Sequence, residues 1–162
     1  MLKYTTYQIV FREIPNKVTL AINISNCPNH CPGCHSPELR KDIGTELTDN
    51  ELFRILDENK GINCICFMGA GRDIPRLSEI LGKLKEKFPF LETGLYTGAD
   101  EFDENVFNGN LNYLKIGRYD EKLGPLNKKT TNQRLYRLVD GHRCDITELF
   151  WGSPIEKEIG GK

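Results

Sequence analysis

Apolar and polar residues alternate along Thr19-Leu20-Ala21-Ile22-Asn23-Ile24, the period-two pattern of a strand whose two faces meet different surroundings. The pattern predicts two strands, Gln8 to Glu13 and Val18 to Ser25, joined by the turn-forming run Ile14-Pro15-Asn16-Lys17. Further on, Thr48-Asp49-Asn50-Glu51 matches a capping box, and Leu52, Ile55 and Leu56 supply the apolar stripe of the helix it opens. Ile62 to Met68 is nearly continuous in apolar residues, as in a strand covered on both faces, and ends in Gly69-Ala70-Gly71. Asp73 and Pro75 then open a second helix with Leu77, Ile80, Leu81, Leu84 and Phe88 on one side and lysines near its end. Strands are expected at Leu91 to Thr97 and Tyr113 to Ile116, separated by a weakly helical acidic stretch from Asp100 to Val106. A last strand, Leu135 to Val139, pairs with Arg143 to Ile146 across Asp140-Gly141-His142.

This order of elements implies an α/β fold with parallel strands and right-handed crossovers. A closed eight-stranded barrel takes about 250 residues, and the chain has 162. The expectation is therefore a partial (βα) barrel or a curved, mostly parallel sheet, in one domain over residues 1–151 with a flexible tail over 152–162. A formal net charge of −1 argues against a protein built to neutralise nucleic-acid phosphates. No window approaches the roughly 18 uninterrupted apolar residues of a membrane span, so the expected setting is cytoplasmic, with no nucleic acid and no membrane as partner. The six cysteines are read as reduced thiols, since a chain of this length needs no disulfide staples.

Three of those cysteines lie in Cys27-Pro28-Asn29-His30-Cys31-Pro32-Gly33-Cys34, directly after a predicted strand. Their spacing is that of metal ligands. A [4Fe–4S] cluster normally takes four thiolates, so three leave one iron open to a small molecule. A zinc-binding interaction module is the reading from another class, but a closed zinc site needs a fourth ligand, and His35 adjoins Cys34 too closely to serve easily.

The run Asn26 to Glu38, with Leu95-Tyr96-Thr97-Gly98, Leu114-Lys115-Ile116-Gly117-Arg118-Tyr119 and Thr131-Asn132-Gln133-Arg134, resembles the radical S-adenosylmethionine (SAM) superfamily. Within it the closest likeness is to the anaerobic ribonucleotide reductase activating proteins. The resemblance implies a sheet of the radical SAM type. It also implies a [4Fe–4S] cluster on Cys27, Cys31 and Cys34, with SAM chelating the open iron. One electron from a flavodoxin- or ferredoxin-type donor would cleave SAM reductively, and the 5′-deoxyadenosyl radical would take a hydrogen atom from a glycine of the anaerobic ribonucleoside-triphosphate reductase. The cofactor carries the chemistry, and no general acid or base is assigned. A formate-lyase type glycyl radical enzyme is the alternative target.

The same resemblance implies SAM contacts at Gly33, Cys34 and His35, at the turn Gly69, Ala70 and Gly71, and at Asn132 and Gln133. Two departures stand out. Glycine at 33 stands where many superfamily members carry an aromatic residue, though the activating-protein subgroup resembles this chain in using glycine, and Ala70 breaks the expected Gly-Gly-Glu-Pro turn, with Arg72-Asp73 near the position of its acid. Asp73 is either a helix cap or a substitute for that acid, and His35 either faces adenine or closes its loop. Asn132-Gln133-Arg134 is read as contacting SAM or docking the partner. Cys64 and Cys66, alternating on an apolar strand, are expected in the core. Between Tyr113 and Arg143, eight basic residues stand against three acidic ones. They form either a solvated face, in which Lys115 and Arg118 are ordinary strand-edge cations, or a docking patch for an acidic donor or the reductase.

Overall fold

The structure, a computed structural model, describes residues 1–25, 41–69 and 73–151. Among them the chain forms an α/β fold with one mixed sheet of eight strands. The strands are β1 (Lys3–Val10), β2 (Thr19–Ile24), β3 (Thr45–Glu46), β4 (Cys64–Met68), β5 (Glu92–Tyr96), β6 (Tyr113–Ile116), β7 (Arg134–Val139) and β8 (His142–Asp145). Their order across the sheet is β3-β1-β2-β4-β5-β6-β7-β8. Joints β2·β4, β4·β5 and β5·β6 are parallel, and the four outer joints are antiparallel.

The expectation of a mostly parallel sheet is thus corrected. Two α-helices are found among the described residues, α1 (Asp49–Glu58) and α2 (Ile74–Lys87), too few to make a clear (βα) barrel. The physical reason lies in the connections. Parallel neighbours need crossovers of about a dozen residues or more, whereas the strap over residues 11–18 between β1 and β2 and the turn between β7 and β8 fall short of that; the β6–β7 joint is antiparallel despite a longer connection.

Both helices form where their signals stand. The Thr48 hydroxyl accepts from the Glu51 amide at 3.2 Å, and the Asp73 carboxylate accepts from the Arg76 amide at 3.3 Å, each satisfying a first-turn donor that has no helical partner. Asp49 also receives hydrogen bonds from Arg76, at 2.8 Å, and from Lys83, tying α1 to α2.

The period-two pattern decides which residues meet the helices. Leu20, Ile22 and Ile24, then Ile65 and Phe67, then Leu95, then Leu114 and Ile116, face α1 and α2 in one buried cluster with Leu52, Ile55, Leu77, Ile80 and Leu84. On the inner face, Cys64, Cys66, Tyr113 and Leu135 form a second cluster with Ile14 and Leu126. Ile14 belongs to the β1–β2 connection, which leaves the sheet plane after Val10 and lies across the inner face as a strap.

At the N-terminal end of the parallel strands, Glu92 pairs with Lys17 at 2.6 Å and Arg137 at 3.1 Å, and accepts from the Tyr113 hydroxyl at 3.1 Å. Burial works to raise its carboxyl pKa, but the hydrogen bonds from Lys17 and Arg137 outweigh it and hold the pKa below the ordinary value. A lowered folded pKa contributes stability above the unfolded value, about 4.3 for glutamate, and loses it as pH falls through the folded value. Urea midpoints followed from pH 6 into this acid range are expected to fall, and to fall less steeply in Glu92→Gln, which is less stable than the parent at neutral pH.

Candidate functional site

A cavity of about 550 Å³ opens at the C-terminal ends of the parallel strands, the edge at which open α/β sheets bind ligands. Register builds its floor. Asn23, Met68, Tyr96 and Lys115 are consecutive partners across β2, β4, β5 and β6, so four inner-face side chains form one row beneath the opening. Asn23 is held by its amide donating to the Thr6 hydroxyl at 2.7 Å.

Lys115 is 8% exposed, so the reading of it as a strand-edge cation is corrected. An inner-face position beside β5 and β7 buries the stem, and backbone carbonyls receive the ammonium. Its Nζ donates to the carbonyls of Gly117 at 2.9 Å and Thr97 at 3.3 Å, and lies 5.9 Å from the centre of the Tyr96 ring. The Tyr96 hydroxyl donates to the Glu13 carbonyl, which pins the strap against the floor. Burial, followed by the nearby Cys66 and Glu13, pushes the Tyr96 pKa well up and keeps the phenol neutral.

Gly69 closes β4 with φ +88° and donates its amide to the Tyr96 carbonyl at 2.8 Å, so its backbone forms part of the cavity wall. Gln133 lines the opposite side, buried, with its Nε2 donating to the Gly117 carbonyl at 3.3 Å. Asn132 is exposed and turns away, donating to the Arg118 carbonyl at 3.1 Å, while Arg118 pairs with Asp100 at 3.1 Å. Of the two neighbours expected to act together, Gln133 lines the cavity and Asn132 braces the loop beside it.

Gly117 sets that approach. Its φ is +101°, and a Cβ there would stand 3.1 Å from the Gln133 Cα and 3.3 Å from the Asn132 carbonyl oxygen. Gly117→Ala is therefore expected to cost about 1–3 kcal/mol through left-handed strain. It should also push Gln133 out of the wall, weakening ligand binding more than it lowers the unfolding midpoint; an unchanged dissociation constant refutes this.

Asp73 resolves to the cap. It also pairs with the Met1 amine at 2.8 Å, and that hydrogen bond is the main reason its carboxyl lies below the usual range. Cys64 and Cys66 are fully buried free thiols. Burial pushes Cys64 up to about 12 and Cys66 well above its ordinary value, which makes them core groups rather than nucleophiles. Cys144 is exposed on β8. In the basic patch, Arg134, Arg137 and Arg143 pair with Asp145, Glu92 and Glu104, so much of the charge excess is neutralised locally.

Cys27, Cys31, Cys34, Gly33 and His35 lie outside the described residues, as do Ala70, Gly71 and the tail from Gly152. What is placed is their entry point: Ser25, at the end of β2, donates its amide to the Lys3 carbonyl at 3.0 Å, two positions before Cys27 and two after the cavity-lining Asn23. Among the described residues there is no group of three or more His, Cys, Asp or Glu able to hold a metal ion, and no helix long and apolar enough to cross a membrane.

Sequence reasoning missed Arg12 and Glu13, which line the cavity from the strap. They were assigned to a strand that ends at Val10. The available signal was the loss of alternation at Phe11-Arg12-Glu13 just before Pro15. Comparison with family models, with curated proteins and with solved structures finds no match for this chain.

Proposed function

We propose that the chain is a radical SAM enzyme. In this reading β2, β4, β5 and β6, with α1 and α2 on the outer face, are the core of a partial barrel of the radical SAM type, and the antiparallel strands extend it at both ends. Within that class, the chain is assigned as the activating protein of an anaerobic ribonucleoside-triphosphate reductase, served by a flavodoxin- or ferredoxin-type donor.

The observation that carries the reading is an adjacency. The Cys27, Cys31, Cys34 triad follows directly on the strand whose last inner-face residue, Asn23, borders the cavity. The described residues suit the ligand. Small-molecule sites typically span about 300–1,000 Å³, and this cavity measures about 550 Å³. Met68, Tyr96, Leu126 and Phe150 give it apolar surface for an adenosyl group, while Arg12, Glu13, Lys115 and Gln133 bring polar groups to its walls.

Cys27, Cys31 and Cys34 would hold a [4Fe–4S] cluster, which when bound supplies the single electron for reductive cleavage of SAM. The chain's own contribution is binding, orientation and exclusion of water. Lys115 draws the strand-end carbonyls of Thr97 and Gly117 together, fixing two backbone walls. The strap, with Ile14 fully buried, closes the inner face below the ligand.

Anaerobic reconstitution with iron and sulfide is expected to give a brown protein holding about four irons. It should release 5′-deoxyadenosine and methionine from SAM under reduction, and leave a glycine-centred doublet in electron paramagnetic resonance on the anaerobic reductase. A doublet on a formate-lyase type enzyme alone moves the target, and colourless protein with stoichiometric zinc overturns the class.

A further inference from the structure

We propose that the free edge of β8 is an interface with a second copy of this chain, the two β8 strands pairing antiparallel about a two-fold axis at Cys144 so that two sheets become one.

The hairpin fixes which groups are on offer. β8 ends the sheet and pairs with β7 in continuous register, Val139 opposite His142, Arg137 opposite Cys144 and Tyr136 opposite Asp145. Just beyond, the Ile146 amide donates to the Leu135 carbonyl at 2.9 Å. Hydrogen-bonded and non-bonded pairs alternate along an antiparallel ladder, so His142 and Cys144 bond to β7 while the N–H and C=O groups of Arg143 and Asp145 point away from it.

Sheet edges are ordinarily blunted by shortness, proline, lysine or a bulge. The opposite edge strand, β3, has two residues. β8 has four, His142-Arg143-Cys144-Asp145, exposed throughout and without proline or lysine. Its charged side chains fold back over the sheet. Arg143 pairs with Glu104 and donates to the Phe102 carbonyl at 2.6 Å, and Asp145 pairs with Arg134 at 3.5 Å and accepts from the Thr147 amide at 3.0 Å. The backbone edge is thereby left uncovered, while the two side chains stay partly exposed, at 33% and 44%.

Charge selects the occupant and the register. With the axis at Cys144, Arg143 of each copy faces Asp145 of the other, and each facing pair exchanges two backbone hydrogen bonds. Sliding the strands by one bonded pair sets Arg143 against Arg143, or Asp145 against Asp145, and like charges directly opposite one another are destabilising. β8 is thus complementary to itself in one register. That register also brings the two Cys144 residues opposite each other at a non-bonded position, where Cα atoms stand about 4.5 Å apart, within reach of a disulfide. The axis runs through the sheet and reverses strand direction, so the helices of both copies share a face and the two cavities open at opposite edges. The inference does not depend on what either cavity binds.

Sedimentation velocity of the reduced full-length chain is expected to show reversible doubling of mass as concentration rises. Arg143→Glu and Asp145→Arg each turn two attractive pairs into repulsive ones and should raise the dimer dissociation constant about tenfold or more. Mixed in equal amounts, the two variants again oppose unlike charges at both positions, and a mixed dimer should form within about threefold of the parent constant. Recovery on mixing is a result that misfolding of either variant could not give. A parent that stays monomeric at its highest soluble concentration, dimers that persist in either variant alone, or well-folded variants that do not recover on mixing overturn the interface.

Where thermal unfolding shows a variant to be damaged, cross-linking decides. In a chain carrying Cys27→Ala, Cys31→Ala and Cys34→Ala, Cys144 is the exposed thiol, Cys64 and Cys66 being buried. Diamide takes two electrons and two protons from a pair of thiols, its N=N bond becoming a hydrazine as the S–S bond forms. A covalent dimer that disappears on adding Cys144→Ala is expected, and no cross-link through Cys144 overturns the register.

Discussion

Alanine at Cys27, at Cys31 or at Cys34 is expected to reduce SAM cleavage to background. In the proposed reading three thiolates hold a four-iron cluster, so each substitution would strip a second iron of its protein ligand. Two remaining cysteines would not hold the proposed cluster, whose open iron is its working position. The expected signature is a joint loss of bound iron, brown colour and 5′-deoxyadenosine release, with the unfolding midpoint of the metal-free protein unchanged. Cys144→Ala is the matched control: this thiol is exposed on β8, far along the chain from the triad, and its removal should leave iron content and turnover intact. Full turnover in any of the three triad variants defeats the ligand assignment.

Phe67→Ala is expected to have the largest effect on stability. Phe67 has no exposed surface, pairs in register between Ile22 on β2 and Leu95 on β5, and sits in the cluster that joins the sheet to both helices. Truncating a buried phenylalanine costs about 3–5 kcal/mol, the lost transfer energy adding to the cavity left behind. Folded domains hold a margin of about 5–15 kcal/mol, so the variant should unfold at much lower urea concentration with a similar slope. A loss below about 1 kcal/mol would mean that neighbouring side chains collapse into the space, and that the two helices pack less rigidly on β4 than their burial indicates.

Much of the parallel core was readable from local chemistry. The strand over Tyr113–Ile116 has the expected bounds, the Thr48 cap starts α1 although the Glu51 carboxylate expected to complete the capping box turns to Tyr4 and Arg54, and Asp73 starts α2, because these cap signals are satisfied within a turn or two of the chain. The β7–β8 hairpin also forms where Asp140-Gly141 supply two positive-φ positions. The misses have a common origin in longer-range packing. β1 begins at Lys3 and ends at Val10 rather than running to Glu13, since Ile14 is drawn off the strand to fill the gap above Gly94 and Cys66. β3, of two residues, is created by its neighbour: Thr45 and Glu46 pair with Tyr4 and Lys3, and one β-branched residue is too short a run to signal a strand.

The candidate site divides in the same way. The Gly69 wall and the Gln133 contact were reachable through resemblance, because each lies at the end of a readable strand. Lys115 was misjudged because a lysine flanked by Leu114 and Ile116 reads as an edge residue unless the carbonyls of Thr97 and Gly117 are known to be waiting for it. Arg12 and Glu13 become neighbours of Met68 and Tyr96 only when the strap folds over the inner face, a contact between segments more than fifty residues apart that no local pattern encodes.

The order of strands across the sheet has a consequence for how the molecule assembles. β2 pairs with β1, β3 with β1, β4 with β2, and each of β5 to β8 with the strand numbered just before it. Among the described residues each strand after the first therefore docks on a template made earlier in the chain. During synthesis, which delivers the N-terminus first, a growing edge is present when each new segment emerges, although the β2–β4 joint still closes a loop of more than forty residues. The fold can grow outward from its first hairpin in the direction of translation, the free edge of β2 being the one held longest before its mate β4 arrives.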